Sequence, residues 1–378
     1  MPRPRGAEFL SPPELYLGLI SGTSVDGIDA ALVEFDGEWP RLVRGDTHPY
    51  PEALREELLA VSQADGAITL EAFGALDQRV GLEFARAASR TLEAGGLVAS
   101  DVAAIGSHGQ TLCHRPHGAH PFTLQIGDPN VIAEVAGIRT VADFRRRDVA
   151  AGGQGAPLLP ALHATLFADP GSDVAVLNLG GIANLTLLPR AGTVRGFDTG
   201  PANCLLDAWI SAHAGTGRDE GGHWAAAGKV DAELLERLSA DPYFMKPAPK
   251  STGRDYFHLG WLRTQLRDWI GDPRDVQATL LELSASSIVA ALRSELPAAS
   301  RLIACGGGVH NPALMQRLRG LAAPIEVSTT AAFGVDPDFV EAAGFAWLAR
   351  ATLMNVAGNL PSVTGARGPR ILGGVFAA

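Results

Sequence analysis

The chain has 378 residues, of which 46% are hydrophobic and 19% charged, and this length favours two domains over one. Its formal net charge of −10 argues against a nucleic-acid partner and against binding to an anionic membrane surface. An anionic ligand must therefore be met by local donors or by a metal ion. Cys113, Cys204 and Cys305 lie far apart and predict neither a disulfide framework nor a zinc site.

The N-terminal segment carries arginines but lacks the apolar stretch of a signal peptide. No later apolar run is expected to span a bilayer. Glycines and prolines are spread through the chain, which is typical of tight turns within folded domains. We therefore expect a cytoplasmic protein that does not bind membranes.

The first half alternates predicted strands and helices. Apolar runs at 16–20 and 30–35 predict two strands joined by a glycine-rich hairpin turn. The elements predicted next are helices at 51–64 and 70–94, a strand at 102–106, a Gly/Pro/His-rich segment at 115–129, a short helix at 131–135 and a strand at 139–144. The charged, glycine-rich segment 145–157 is typical of a crossing between domains.

The second half repeats this plan. Its predicted elements are strands at 174–179, 184–188 and 194–197, helices at 201–213, 230–239, 258–270 and 275–295, a strand at 301–304 and a helix at 312–318. Asn311 and Pro312 supply an N-cap and a first-turn proline for the last helix. The repetition predicts two similar α/β domains, an N-terminal one at 1–145 with 355–378 and a C-terminal one at 146–354.

The most informative segment is the turn Ser21-Gly-Thr-Ser-Val-Asp-Gly-Ile-Asp29 between the first two strands. Glycines let backbone N–H groups approach an anion, and Thr23 and Ser24 add hydroxyl donors. Asp26 and Asp29 would repel a bare phosphate, but they are compatible with a magnesium ion between protein and nucleotide. The same composition also marks hairpin turns that bind no ligand.

Two further glycine turns follow apolar strands, at Gly180-Gly181 and at 306–308. This order resembles the actin, sugar kinase and Hsp70 ATPase superfamily, in which two loops from duplicated domains hold the phosphates and a third lies against the adenosine. The resemblance implies two actin-like (ribonuclease H-like) α/β domains flanking an active-site cleft. The sequence contains neither a P-loop signature nor a Gly-x-Gly-x-x-Gly after a strand.

Over essentially its whole length the chain resembles the anhydro-N-acetylmuramic acid kinase family. The segments that carry the resemblance are the turn at 21–29, Gly106-Ser-His-Gly-Gln-Thr111, Gln125-Ile-Gly-Asp128, Val141-Ala-Asp-Phe-Arg-Arg-Arg-Asp148, Gly152-Gly-Gln-Gly-Ala-Pro157, Asn178-Leu-Gly-Gly-Ile-Ala-Asn184, Gly196-Phe-Asp-Thr-Gly-Pro-Ala-Asn203, Pro249-Lys-Ser-Thr-Gly-Arg254, Cys305-Gly-Gly-Gly308 and Gly358-Asn-Leu-Pro-Ser-Val-Thr-Gly365. The resemblance implies a cytoplasmic, dimeric enzyme of cell-wall recycling. With ATP and water, such an enzyme opens the 1,6-anhydro bond of an amino sugar and phosphorylates the freed O6.

The three glycine loops form the predicted site for ATP and Mg²⁺. Its candidate residues are Gly22, Thr23, Ser24, Val25, Asp26, Gly27, Ile28 and Asp29 in the first loop, Asn178, Gly180 and Gly181 in the second, and Gly306, Gly307 and Gly308 in the third. Asp26 is the candidate magnesium ligand, directly or through water.

Asp198 is the predicted catalytic base, because it follows the strand at 194–197 at a strand end expected to face a cleft. The resemblance assigns it the same role, deprotonation of the water that attacks the anomeric carbon. The alternative from the residues alone is an aspartate that caps the helix starting near Pro201.

Further polar residues are candidates for sugar contacts. Asp143, Arg145 and Asp148 suit the sugar hydroxyls or its lactyl carboxylate, and an interdomain ion-pair network is the alternative. His108 is either a donor to the substrate or a structural hydrogen-bonding residue. Glu341 lies at the start of an otherwise apolar helix. It either bonds the sugar, orients the attacking water, or interacts favourably with the positive end of the helix dipole.

Lys250 and Arg254 are candidates for nucleotide or sugar contacts, with a solvated basic turn as the alternative. Two other functions stay open at this point. One is a kinase for an ordinary sugar or polyol hydroxyl, with Asp198 deprotonating that hydroxyl, and the other is an actin-like or Hsp70-like nucleotide switch. The expected partners are a small-molecule amino sugar and, from the resemblance, a second copy of the chain.

Overall fold

The computed structural model describes residues 14–378 except 23, 38, 64–67 and 268. Its strands are β1 (Glu14–Ser21), β2 (Ile28–Asp36), β3 (Trp39–His48), β4 (Val102–Arg115), β5 (Phe122–Ile126), β6 (Thr140–Ala142), β7 (Asp173–Leu179), β8 (Ile182–Leu188), β9 (Arg195–Pro201), β10 (Ala299–Cys305), β11 (Glu326–Thr329) and β12 (Gly374–Phe376). Its α-helices are α1 (Glu52–Gln63), α2 (Leu70–Ala94), α3 (Pro129–Ala136), α4 (Phe144–Ala150), α5 (Leu159–Phe167), α6 (Asn203–Ala214), α7 (His223–Ala226), α8 (Ala232–Ser239), α9 (Pro242–Met245), α10 (Leu259–Leu266), α11 (Pro273–Glu295), α12 (Pro312–Ala322), α13 (Val340–Leu353) and α14 (Pro361–Thr364).

The chain divides into two compact units. Unit 1 comprises Met1–Leu162 with Glu341–Ala378, and unit 2 comprises His163–Val340. The division differs from the boundaries expected near 145 and 355. Helix α4 and the turn after it are bonded to the segment around α14, and α13 packs on the first sheet, so all of them belong to unit 1.

The sheet of unit 1 has the order β12-β6-β4-β1-β2-β3, and β5 pairs with β4. Strands β1 and β2 form the predicted hairpin, with Ile20 opposite Asp29. Strands β4 and β6 run parallel to β1 and to β4 respectively. Helix α2 covers this sheet with an apolar face that includes Leu76, Val80 and Phe84, which are fully buried.

Some elements of unit 1 differ from those predicted. Strand β3 has no clear apolar pattern, because it lies at the sheet edge and its side chains are mostly exposed or half-buried. The Gly/Pro/His-rich segment 115–129, in which no strand was predicted, contains β5, because β4 continues to Arg115 and pairs with it. The expected domain crossing at 145–157 begins with helix α4, so the strand before it ends at Ala142.

The sheet of unit 2 has the order β11-β10-β7-β8-β9. Strands β7, β8 and β9 are antiparallel neighbours, while β10 and β11 run parallel to β7 and to β10. The same plan of an antiparallel three-stranded meander extended by parallel strands is present in unit 1. Each unit is therefore an actin-like α/β domain, as the repeated sequence pattern predicts.

Helix α11 is the central helix of unit 2, and fully buried residues such as Val276 and Leu280 lie along it. By length and composition it could cross a membrane, contrary to the expectation from the sequence, but 72% of its apolar window is buried inside the protein. The predicted cap of α12 is present, since Asn311 Oδ1 accepts the N–H of Leu314 and Pro312 follows. Helix α5 has no predicted counterpart.

Candidate active site

Asp198 lies within β9, and not after a strand ending at 197 as predicted. Across the ladder to β8, Asp198 faces Asn184 while Gly200 faces Ala183, so Thr199 is an extra residue in β9. Such a β-bulge bends a strand and changes the direction of the side chains beside it, and bulges are frequent next to active sites. The bulge thus gives Asp198 an orientation that a regular strand would not.

Helix α9 and the segment that follows it hold both the main chain and the carboxylate of Asp198. The N–H of Thr252 donates to Asp198 Oδ2 at 3.0 Å, and the Tyr243 hydroxyl donates to the Asp198 carbonyl at 2.8 Å. The N–H of Asp198 itself donates to the carbonyl of Lys250 at 2.9 Å. These contacts fix both the backbone and the carboxylate, which is the preorganisation that a reacting group needs.

Burial raises the pKa of the Asp198 carboxyl to about 6, although the hydrogen bond from Thr252 opposes the shift. A carboxylate with a pKa near the working pH is a stronger base than an ordinary aspartate. The capping alternative is excluded, because α6 begins at Asn203 and its N-cap residue is Ala202, which offers no side-chain acceptor.

The second and third glycine loops lie against each other in unit 2. They follow β7 and β10, which are parallel neighbours in the sheet. The Asn203 side chain donates to the carbonyls of Leu179 and Gly180 at 3.1 and 2.8 Å. A Cβ at Gly308 would lie 2.6 Å from the Cβ of Leu179, and Gly306 adopts a φ of +81°, which favours glycine. The two loops therefore form one surface at the carboxyl ends of adjacent strands.

This surface includes a cation. A Cβ added at Gly181 would lie 3.0 Å from Nε of Arg254, so the guanidinium group packs directly on the second loop. Within the described part of the chain, Arg254 forms no salt bridge. Gly307 of the third loop has open space beside it, since no atom lies within 4 Å of an added Cβ. Main-chain groups, an unpaired arginine and open space together suit a phosphate.

The first loop connects β1 and β2 in unit 1. Its turn is closed by a bond from the N–H of Val25 to the carbonyl of Gly22, which also accepts from the Gln110 side chain at 3.2 Å. Val25 and Ile28 are fully buried, so they anchor the loop and can offer a ligand only main-chain groups. Thr23, a predicted donor, lies outside the described residues.

The two aspartates of this loop differ in their surroundings. Asp26 is 74% exposed and lies 3.5 Å from Nη2 of Arg55. Asp29 accepts a 2.7 Å bond from the Thr47 hydroxyl and is thus tied to β3. Among the described residues, no three His, Cys, Asp or Glu side chains come together as a metal-binding group. Mg²⁺ commonly binds through one carboxylate together with substrate phosphates and water, and Asp26 fits that requirement.

Four predicted sugar-binding residues interact in unit 1, with Arg145 at the centre. Arg145 Nε donates to His108 Nε2 at 2.8 Å, and its Nη1 donates to the Gly155 carbonyl at 2.8 Å. Glu341 and Asp148 both interact electrostatically with Arg145, while burial lowers the pKa of Arg145 to about 10, so that it stays cationic at neutral pH.

His108 is neutral in this arrangement. Its Nδ1 lies 2.9 Å from the Gly109 carbonyl, which only accepts, and its Nε2 faces the Arg145 guanidinium, which only donates. The proton therefore sits on Nδ1. Burial and the neighbouring Arg145 hold the pKa of His108 well below its usual value. The ring also packs on Phe345 of α13, with 4.7 Å between centroids. His108 thus positions Arg145.

Asp148 is completely buried, and its carboxylate is surrounded by donors of the protein itself. Oδ1 accepts from Asn359 Nδ2 at 2.6 Å and from the Thr364 hydroxyl at 2.8 Å, and Oδ2 accepts from the N–H of Gly155 at 2.8 Å. Asp148 is therefore a structural residue that links the turn at 152–157 to the segment around α14. Asp143, in contrast, is exposed and lies 3.4 Å from Arg146 Nε.

Replacing Asp148 with asparagine should lower the free energy of unfolding by about 2 kcal/mol, because the new amide group would face donors and leave one of them unsatisfied. Asp128→Asn is the matched control, since Asp128 caps α3 and asparagine caps helices equally well. Urea unfolding of both variants measures the difference. Equal stability of the two would contradict this structural role.

Several residues of the site were not predicted individually. Gln110, Asn203 and Thr252 fix the glycine loops and Asp198, and each lies within a segment that carried the family resemblance. Their position within those segments is the sequence feature from which they could have been predicted. Tyr243, whose hydroxyl bonds the Asp198 carbonyl, lies in none of them, and only the folded chain reveals its contact.

The duplicated fold and its glycine loops define a protein of the actin-like ATPase and sugar kinase class. The chain belongs to the anhydro-N-acetylmuramic acid kinase (AnmK) family, whose model matches residues 14–378. It is 54% identical over 367 residues to the anhydro-N-acetylmuramic acid kinase of Xanthomonas axonopodis pv. citri (strain 306), covering 96% of this chain and 98% of that protein. It is 48% identical to the protein of the same name from Coxiella burnetii (strain Dugway 5J108-111), covering 97% and 98%.

Solved structures resemble the chain more distantly. The activator of the 2-hydroxyisocaproyl-CoA dehydratase from Clostridium difficile with bound ADPNP has a TM-score of 0.44 and 12% identity, covering 90% of this chain and 98% of that one. The ROK hexokinase from Thermus thermophilus has a TM-score of 0.37 and 17% identity, covering 89% and 99%. The family assignment rests on the sequence match alone.

Proposed function

We propose that this protein is an ATP-dependent kinase that opens the 1,6-anhydro ring of anhydro-N-acetylmuramic acid and phosphorylates O6. The product would be N-acetylmuramic acid 6-phosphate. The observation that carries the proposal is the full-length match to the family together with a half-buried carboxyl, Asp198, whose pKa is raised to about 6. The proteins that match over nearly their whole length carry the name of this activity.

The reaction needs a base for water. Asp198 removes a proton from the water while the water oxygen bonds to the anomeric carbon, and the bond from that carbon to O6 breaks. The departing O6 takes the γ-phosphoryl group from ATP, and ADP leaves with the electron pair of the broken phosphoanhydride bond. The 3.0 Å bond from the Thr252 N–H keeps the Asp198 carboxylate oriented during this step.

The glycine loops are the proposed nucleotide site. Main-chain N–H groups near Gly180 and Gly307 and the unpaired guanidinium of Arg254 would bind phosphate oxygens. Asp26 would hold Mg²⁺, which when bound neutralises charge on the phosphates. The adenosine would lie against the third loop at 306–308.

Arg254→Gln should lower kcat/KM for ATP by about 10-fold to 100-fold, because a charge-assisted hydrogen bond to phosphate is lost. Arg263→Gln removes an exposed arginine from α10 in the same unit and should leave the constant unchanged. Steady-state kinetics at varied ATP concentration measures both variants. Equal kinetics for the two would place Arg254 outside the nucleotide site.

The proposed sugar contacts centre on Arg145, whose guanidinium retains donors beyond those used by His108 and Gly155. Such a fork suits the lactyl carboxylate of the sugar. Glu341 and Asp143 are proposed as partners for sugar hydroxyls. We further propose a cytoplasmic homodimer that acts in peptidoglycan recycling, and sedimentation equilibrium tests the dimer.

Mass spectrometry tests the activity directly. The anhydro sugar is incubated with the protein, Mg-ATP and oxygen-18 water. The proposed reaction adds one phosphate and one labelled oxygen at the anomeric carbon. Phosphorylation of ordinary sugars with an intact anhydro ring would instead identify a general sugar kinase, and ATP loss without a sugar product would identify a nucleotide switch.

A further inference from the structure

Unit 2 contains a cavity of about 660 Å³ that none of the proposed chemistry uses. The second half of α11, strand β9 and the segment 244–250 form its walls, and Phe197 and Thr199 of β9 line it. Asp198, which lies between these two residues, is not part of the lining. Small-molecule sites in proteins commonly have volumes of about 300–1,000 Å³. The cavity is therefore large enough for a small ligand and separate from the catalytic carboxylate.

Positive charge is concentrated at this cavity. The chain has three lysines, Lys229, Lys246 and Lys250, and the last two line the cavity. Within the described residues, neither has a carboxylate within 4.0 Å. The acidic residue of the lining, Glu295, is already paired with Arg195. In a chain with a net charge of −10, this local excess of positive charge favours an anion.

The two ammonium groups are available to a ligand. Lys250 Nζ donates to the carbonyls of Tyr243 and Phe244 at 3.2 and 3.1 Å, which leaves one of its three protons unused. Lys246 is exposed, and its Nζ lies 5.5 Å from the centroid of the Tyr243 ring. Burial lowers the pKa of Lys250, and a bound anion would offset that cost.

The remaining walls are apolar or weakly polar. Phe197 and Phe244 contribute aromatic surface, and Met245 is 82% exposed. The α11 face is built of small side chains such as Ser287 and Ala290. An apolar wall beside two cations suits a molecule with a planar or apolar body and one anionic group, such as a carboxylate, sulfonate or phosphate.

We propose that this cavity binds a small amphipathic anion and that its occupancy stabilises the backbone around Asp198. The cavity and Asp198 are linked directly by hydrogen bonds. The segment that carries Lys246 and Lys250 also supplies the Lys250 carbonyl that accepts from the Asp198 N–H, and the Thr252 N–H that donates to the carboxylate. A ligand held by these lysines orders the segment and, through it, strand β9.

The test uses 8-anilinonaphthalene-1-sulfonate, an aromatic anion that fluoresces on entering an apolar site, with the full-length protein. Lys246→Gln should weaken its binding at least 10-fold, and Ala290→Trp should abolish the same binding by filling the cavity from an exposed helix position. Lys229→Gln is the matched control, because Lys229 is exposed and does not line the cavity. Thermal unfolding confirms that each variant is folded.

Hydrogen exchange tests the link to Asp198 without any assay of activity. Addition of the probe should slow exchange severalfold in peptides covering 195–201 and 248–252 of the wild type, and should have no effect there in Ala290→Trp. Equal affinity of the probe for the wild type and all variants would overturn the site. So would the absence of binding to the wild type, as expected if a second copy of the chain covers the cavity. Binding without a change in exchange would overturn the coupling.

Discussion

Asp198→Asn should lower turnover of the anhydro sugar by about 10³-fold, because asparagine cannot take a proton from water. The asparagine Oδ1 can still accept the N–H of Thr252, and the main-chain bonds of Asp198 to Tyr243 and Lys250 do not depend on the carboxylate. Nucleotide affinity and the fold are therefore expected to persist. Single-turnover kinetics with the sugar and Mg-ATP, together with nucleotide titration, measures the two effects separately.

The stability of this variant distinguishes a catalytic from a structural aspartate. The pKa of Asp198 rises from 3.8 to about 6 on folding, so between these pH values the folded chain holds a proton that the unfolded chain has lost. The resulting stabilisation is complete below pH 3.8 and is lost as the pH rises through about 6. At pH 8 the half-buried charge of Asp198 disfavours folding, and Asp198→Asn should unfold at the same temperature as the wild type or higher.

The same pKa sets the pH profile of the wild type. The base must be deprotonated, so kcat/KM for the sugar, which reports the pKa of the ligand-free protein, should rise with unit slope below about pH 6 and level off above it. Asp173→Asn is the matched control, because Asp173 also accepts a main-chain N–H, that of Arg190 at 2.8 Å, and lies at the start of β7. It should retain wild-type turnover. A flat profile through pH 6, or near-normal turnover of Asp198→Asn, would contradict the assignment.

The sequence was informative about the fold where one face of an element is buried. The β1–β2 hairpin, helix α2 and helix α11 have strong apolar patterns, and their predicted bounds agree with the structure to within a few residues. Strand β3 was missed because an edge strand with exposed side chains has no such pattern. Helix α4 was mistaken for a domain crossing, since its charged surface and the glycines after it look like a loop.

The candidate site was predictable only in part. The glycine loops and Asp198 follow from the motifs and the resemblance, and the family itself is confirmed by the match over 14–378. The surroundings of Asp148 and His108 were not predictable, because their partners lie far away in the sequence. The alternative role for Asp198, capping the helix expected to start near Pro201, is wrong. Strand β9, with its bulge at Thr199, continues to Pro201, and helix α6 begins only at Asn203.

Gly18→Ala should destabilise the protein by about 3 kcal/mol or more, because a side chain there meets the backbone of another element. Gly18 of β1 and Gly106 of β4 are register partners in parallel strands, and α13 lies directly on this glycine pair. A Cβ at Gly18 would lie 1.8 Å from the carbonyl oxygen of Ala342, and one at Gly106 would lie 2.0 Å from that of Phe345. Backbone atoms cannot rotate away as a side chain can, so the helix must move.

Gly74→Ala is the matched control, since Gly74 lies in α2 with no atom within 4 Å of an added Cβ. Alanine there should raise the free energy of unfolding by about 0.5–1 kcal/mol through higher helix propensity. Urea unfolding compares the two variants, and a loss at Gly18 no larger than about 1 kcal/mol would show that α13 can shift at little cost. Because α13 also carries Glu341 and the ring that packs on His108, a shifted helix should in addition raise KM for the sugar.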